Sequence, residues 1–492
     1  MNILSLNYLV LVGCCFFVYY LMPLGIRWTV LLAASLVFYV QSGWQGLVYL
    51  LTLTGITYCA ARAYSSCGEK KARRILILTL TMVLGAMAVV KYADAFLMVL
   101  KAKPLGLLQP LGLSWFTFQS AGYVIDVSRG KAKPERNFLK YFLFVSFFPQ
   151  MGQGPISTFD ALAPQLVQGH RLEPVGVTKG FQLMLWGYFK KMVLADRLAA
   201  VTAYVLTDGV KPGYMVLISA ALYLLRLYAD FSGAMDIVRG TAMTFGVTMA
   251  ENFHYPFFAK SVAEYWRRWH ITLGAWFRSY LLYPFVTGAA GRALSRGGTK
   301  CFGKRIGNLI PSAVATVLVF LLIGLWHGAY WNAVVYGLYF GVIMAVSLLL
   351  EGTFRKLKKK HGIRSKSPVW CGFCMVRTWL VLLIAQYFAF TNSPAQAVSL
   401  LGASFQNWGQ GGILDSFLAV MAGREWLIAL IAALTLLTVD ILCDRGVDVN
   451  GWLAKGPFPI RWLVLLLLIV AIVVFGCYGE NVSGAAFVYT QF

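Results

Sequence analysis

Charge is what this sequence has least of. Only 13% of its 492 residues are Asp, Glu, Lys or Arg, against 59% hydrophobic residues, and the mean hydropathy is +0.68. That balance excludes an ordinary soluble globular domain and implies an integral membrane protein. From Ile306 to Leu350, 45 residues pass without a charged side chain, and the 34 residues from 28 to 61 do the same. Acidic residues are the scarcer sign, 19 against 43 basic, for a net charge of +24. The basic residues stand in short runs between apolar segments and not on a soluble face, so nucleic acid is not an expected partner. The positive-inside bias accounts for them instead, placing Arg62–Arg74, Arg129–Lys140, Lys260–Arg305 and Arg355–Lys366 in the cytoplasm, and the sparsely charged 393–423 segment and the N-terminus outside.

Other absences narrow the architecture. No linker, internal repeat or low-complexity tract interrupts the chain, which implies one membrane domain over 1–492, with N-terminal spans in 1–110, a core in 111–350 and C-terminal spans in 351–492. No basic region precedes the uncharged residues 1–26 and no small-residue cleavage site follows them, so this segment reads as a retained span and not a signal peptide. The nine cysteines are scattered in apolar context, where they pack as small hydrophobes. Cys371-Gly-Phe-Cys374 has redox or metal spacing but no second ligand pair, and no metal site is expected.

What is present is a succession of apolar segments. One span needs roughly 17 to 25 residues, so 28–61 holds two helices that break near Gln41-Ser42-Gly43. Further spans are expected near 75–92, 112–127, 176–207, 212–229, 308–350 as a hairpin, 376–392, 425–443 and 461–479. The fold class is therefore an all-α polytopic membrane protein with about 11 spans plus re-entrant or interfacial segments.

Polar residues gather at four places, and polar groups at membrane depth point to function. "PLGLSWFTFQS" at 110–120 precedes "SFFPQMGQGPIS" at 146–157, whose prolines and glycines break any helix. Such backbone either lines a wet cavity or forms an interfacial loop. In the loop reading, Gln119, Gln150 and Gln153 face water. "LYADFSGAMDI" at 227–237 places Asp230, Ser232 and Asp236 around Gly233, as though one helix ended and another began. The carboxylates suit either an acid/base pair or helix caps, and the scaffold role is favoured. In "YWRRWHITLGAWFRSYLLYP" at 265–284, Trp266, Trp269, Leu273, Trp276 and Tyr280 form a stripe at helical spacing, with Arg267, Arg268 and Arg278 elsewhere around an interfacial helix. His270 lies beside the stripe, where a neighbouring carbonyl could satisfy it. The fourth place is "GLWHGAYW" at 324–331. There His327 is the one side chain in the uncharged 45 residues that titrates near neutral pH.

Together these motifs, with "ENFHYPF" at 251–257 and the terminal "FVYTQF", resemble the membrane-bound O-acyltransferase family, in its bacterial polysaccharide O-acetyltransferase branch of the alginate type. The resemblance implies a ring of tilted helices around a central funnel or tunnel. It also implies catalytic roles for His327 and for His270. It implies an acyl thioester donor on the cytoplasmic side, acetyl-CoA or an acyl carrier, with no bound cofactor. The acceptor is a hydroxyl of a cell-surface polysaccharide or of an extracytoplasmic acyltransferase-like partner protein, at a multi-pass position in the bacterial plasma membrane. Trp326, Asn332, Arg267, Arg268, Asp230, Ser232, Gln119 and Gln150 are the candidates for substrate or donor contacts. Arg278-Ser279 and "TGAAGR" at 287–292 depart from the family pattern, which puts any ion pair at 279 in doubt.

The residues agree with that chemistry. A sugar hydroxyl is a poor nucleophile, and a positioned base of suitable pKa accelerates its attack by about 10² to 10⁴-fold. No Gly-x-Ser-x-Gly elbow offers a covalent serine route, and no histidine is followed by Asp five residues on. The alternatives are a teichoic-acid D-alanyl transferase of the same family and, in another class, a transporter or flippase with a polar midplane site. Transporters commonly carry paired repeats, and none is found.

Overall fold

The computed structural model describes residues 2–478, so the terminal "FVYTQF" lies outside the described residues. Within them the chain is helical, and β structure is limited to one isolated antiparallel bridge between Phe253 and Trp269. Among the described residues nine helices are long and apolar enough to cross a membrane, and the shorter Leu6–Leu21 is a further apolar helix. The chain is an all-α polytopic membrane protein. Phe458–Phe475, the most apolar of the nine, buries no residue, as expected where lipid replaces protein contacts.

The chain divides into two compact units. Among the described residues, the first comprises 2–191, Phe231–Glu251 and Asp448–Gly476, and the second comprises Met192–Asp230 and Asn252–Val447, together with Cys477 and Tyr478. In the first, the uncharged 28–61 stretch becomes two helices, Arg27–Ser42 and Trp44–Ser65, joined at Gly43. Its φ of +130° is a conformation that favours glycine.

Two expected elements differ. The 176–207 segment is not one span. It forms Pro174–Tyr188, a π-helical turn over Phe189–Ala195 and the helix Asp196–Leu206. Lys190, Lys191, Asp196 and Arg197 are buried in this stretch, and ion pairs accommodate two of them, Lys190 to Asp236 at 2.6 Å and Arg197 to Glu425 at 2.8 Å. Nor does the chain break at "YADFSGAMD", for Gly213–Thr244 is one helix of 32 residues and neither Asp230 nor Asp236 caps an end. The glycines there serve close approach. A Cβ on Gly233 would lie 2.8 Å from the Gly187 carbonyl oxygen, and one on Gly240 would lie 2.6 Å from that of Gly180. Small residues seven apart on each helix thus let the two backbones touch, the usual device where apolar burial alone cannot drive association.

In the second unit, the predicted 308–350 hairpin is Ile310–His327 followed by Trp331–Lys360. Glycines again set the spacing, since a Cβ on Gly324 would sit 2.3 Å from the Ala333 carbonyl oxygen and one on Gly337 would sit 2.3 Å from that of Phe320.

Candidate active site

His327 is the last residue of the Ile310–His327 helix, and Gly328 follows it because the Tyr330 ring occupies the space a side chain would need: a Cβ on Gly328 would lie 2.3 Å from that ring. The Tyr330 hydroxyl closes the turn by donating to the His327 carbonyl oxygen at 3.2 Å. The hairpin thus holds His327 at a helix end.

The second histidine sits on a different device. The expected continuous stripe over 265–284 is interrupted: a helix over Val262–Arg268 stops, Trp269 pairs with Phe253, and a new helix starts at Ile271. Ser261 caps the first helix by accepting from the Glu264 amide at 3.1 Å, while a Glu264 carboxylate oxygen accepts from the Lys260 amide at 2.9 Å, a near-relative of the capping box. His270 occupies the corner in a left-handed conformation, φ 45° and ψ 52°, which is uncommon for a residue other than glycine. Asn252 holds it. Its side-chain oxygen lies 3.2 Å from His270 Nδ1 and accepts from the Thr272 amide at 3.0 Å and the Thr272 hydroxyl at 2.9 Å.

Both histidines line one cavity of about 580 Å³, together with Arg267, Arg278 and apolar residues that include Leu273 and Phe320. Trp326 is buried against the pair, its ring edge-on to His270 at 5.8 Å and to His327 at 4.8 Å. His327 also lines a second, smaller cavity of about 50 Å³ with Tyr223, Tyr330 and Tyr336. Burial pushes the His270 imidazole down to about 3, and neighbouring His327 adds to the shift, so His270 is neutral at physiological pH.

The remaining candidates fall elsewhere. Arg268 is committed to structure, pairing with Glu264 at 3.0 Å and Asp444 at 2.7 Å and donating to the Tyr255 carbonyl at 3.3 Å. Asn332 donates to the Thr391 carbonyl and to its hydroxyl at 3.1 Å, and lines neither cavity. Asp230 is buried in the second unit and lines neither cavity. Ser232 belongs to the first unit, where Lys190 donates to it at 2.9 Å. Gln119 and Gln150 are also in that unit and do not face water. Both are buried, their amides bond each other at 3.3 Å, and Gln150 donates to the Phe144 carbonyl at 2.9 Å. Gln153 is buried as well. Sequence reasoning misses Asn252 and the three tyrosines of the smaller cavity. For Asn252 the available signal is its place in "ENFHYPF", which says nothing of a corner 18 residues on.

No family model matches the chain. Among curated proteins it is similar to "Probable alginate O-acetylase AlgI" of Azotobacter vinelandii, 31% identical over 348 residues, which is 68% of this chain and 66% of that protein. It is also similar to a peptidoglycan O-acetyltransferase of Helicobacter pylori, at 29% identity over 70% of this chain and 67% of the relative. A teichoic acid D-alanyltransferase of Bacillus subtilis matches at 26% identity, over 52% of this chain and 63% of the relative. The match to the Azotobacter protein thus spans slightly under two thirds of that protein's length.

Proposed function

The chain belongs to the membrane-bound O-acyltransferase family, and on that premise we propose that it moves an acyl group, acetyl in the first instance, from a cytoplasmic thioester donor to a hydroxyl on the outer face of the bacterial plasma membrane. The hydroxyl is that of a cell-surface polysaccharide or of an extracytoplasmic partner protein that passes the group on. The observation that carries this reading is the position of His327 on the walls of two cavities. The larger has Arg267 and Arg278 to meet an anionic donor such as the phosphates of acetyl-CoA or of an acyl carrier's arm. The smaller, ringed by tyrosines, admits the hydroxyl.

In this mechanism His327 accepts the proton of the hydroxyl as its oxygen attacks the thioester carbonyl. The tetrahedral intermediate collapses, the carbon–sulfur bond breaks, and the thiolate takes the proton back from the imidazolium, leaving an ester and a thiol. The helix end suits the step, because the carbonyl end of a helix favours the positive charge that His327 carries between the two transfers. The stronger resemblance to O-acetylating relatives than to the D-alanyl transferase supports acetyl as the group.

The test compares His327→Gln and His327→Ala at matched membrane levels and with a wild-type elution profile in detergent. Glutamine keeps volume and hydrogen bonding but cannot take up a proton near neutral pH. Both variants are expected to lose acyl transfer by about 10²-fold or more, the ordinary worth of a general base. Turnover by the Gln variant within about tenfold of wild type would overturn the base assignment. The mass of the ester lost from surface glycans on deleting the gene separates acetyl from D-alanyl.

A further inference from the structure

Asn252 makes contacts that the proposed reaction leaves unused. It is buried, and its backbone carbonyl accepts from the Ile271 amide at 3.0 Å while its side-chain oxygen collects the Thr272 amide, the Thr272 hydroxyl and His270 Nδ1. The Thr272 amide can only donate. The Asn252 atom facing it is therefore the oxygen and not the nitrogen, which settles the orientation of the amide. An amide oxygen can only accept, so a neutral imidazole bonded to it carries its proton on Nδ1 and leaves the lone pair on Nε2.

We infer that Asn252 is a positioning residue that locks His270 into the Nδ1–H tautomer, so that this histidine serves the cavity it shares with His327 as a hydrogen-bond acceptor. The inference deepens the proposed function and rests on it for its catalytic meaning. An acceptor nitrogen has no proton to offer a developing oxyanion. His270 therefore presents an acceptor to the cavity, and the oxyanion is met by other groups. Burial keeps it neutral, and neighbouring His327 acts in the same direction. The other charged or titratable side chains around it are Arg267, Arg278 and Tyr283, which line the same cavity, and Arg268, two residues before it and paired with Glu264 and Asp444.

The first arm of the test needs no turnover. In the full-length protein with ¹⁵N-labelled imidazoles in detergent, the five histidines give few enough signals for His270→Gln to identify the one in question. The expected result is a neutral ring protonated at Nδ1 across about pH 5 to 8, where an ordinary histidine would titrate. A ring protonated at Nε2, or one titrating at the ordinary value, overturns the inference.

The second arm is Asn252→Asp. A carboxylate keeps all three acceptor contacts and adds a negative charge, so the His270 ring should become protonatable. Transfer already declines at low pH as the His327 base is protonated, so the variant should gain a second acid step, with kcat falling by about a further tenfold per pH unit below the new His270 pKa and the donor KM unchanged. A merely structural asparagine would lower protein levels or raise KM without moving the pH profile, and an unmoved profile in a folded variant also overturns the inference. If Asn252→Asp fails to fold, the wild-type tautomer decides. If the wild-type protein transfers no acyl group to any acceptor, the proposed function fails while the tautomer still answers for Asn252.

Discussion

Arg267 and Arg268 are adjacent in sequence and opposite in employment. Arg267 lines the larger cavity, whereas Arg268 is held by two carboxylates and a backbone carbonyl. A pair of substitutions separates the two roles. Arg267→Gln is expected to raise the donor KM by about ten- to a hundredfold, with thermal stability in detergent unchanged, since one charge-assisted contact to an anion is worth roughly 1.5 to 3 kcal/mol. Arg268→Gln is expected to lower the melting temperature, because Glu264 and Asp444 lose their partner, and to leave the donor KM near wild type. Equal effects on KM would mean that both arginines face the donor. This division is hidden in the sequence, because Asp444 lies 176 positions from Arg268 and nothing local points to it. His327 is legible for the opposite reason, since an isolated titratable group within 45 uncharged residues stands out without any partner being known.

At the scale of the element, counting uncharged residues against the thickness of a bilayer locates the break at Gly43 and the 308–350 hairpin. The same method fails where glycine has two meanings. A glycine between aspartates reads as a helix end, yet at Gly233 it is a contact point between helices, and the cost of about 1 kcal/mol for a helical glycine is offset by backbone approach. Contact glycines and idle ones predict different outcomes. Gly324→Ala must push against the Ala333 carbonyl oxygen, so it is expected to destabilise by about 1 to 3 kcal/mol and to displace His327, three residues on, with loss of transfer. Gly85→Ala, in the Glu69–Val99 helix, meets nothing within 4 Å and is expected to be neutral or slightly stabilising. Thermal unfolding of the two variants in one detergent checks both, and a neutral Gly324→Ala would mean that the hairpin yields without cost.

At the scale of the whole molecule, the expectation that charge fixes sidedness can be followed through each unit separately. In the first, Arg27–Ser42, Trp44–Ser65, Glu69–Val99 and Leu113–Ser128 alternate in direction if each crosses the membrane. The ends at 66–68 and 129–137 then share a side, and the basic residues Arg62, Lys70, Lys71, Arg129, Lys131 and Lys133 cluster there. In the second, Ile310–His327, Trp331–Lys360 and Pro368–Phe390 alternate likewise. If these helices each cross, residues 361–367, which follow Lys358, Lys359 and Lys360, face the side opposite to 391–422, and His327 lies at the end of its helix away from them. Positive charge near span ends is retained in the cytoplasm, so both basic ends should be cytoplasmic. In a variant freed of its native cysteines, a cysteine placed at Ile363 or Lys131 should react with an impermeant thiol reagent only after the cells are opened, and one placed at Gln406 should react in intact cells. Labelling at Ile363 from outside would invert the second unit. The basic wall of the larger cavity would then have no claim on a cytoplasmic donor, and the direction of transfer proposed above would fall with it.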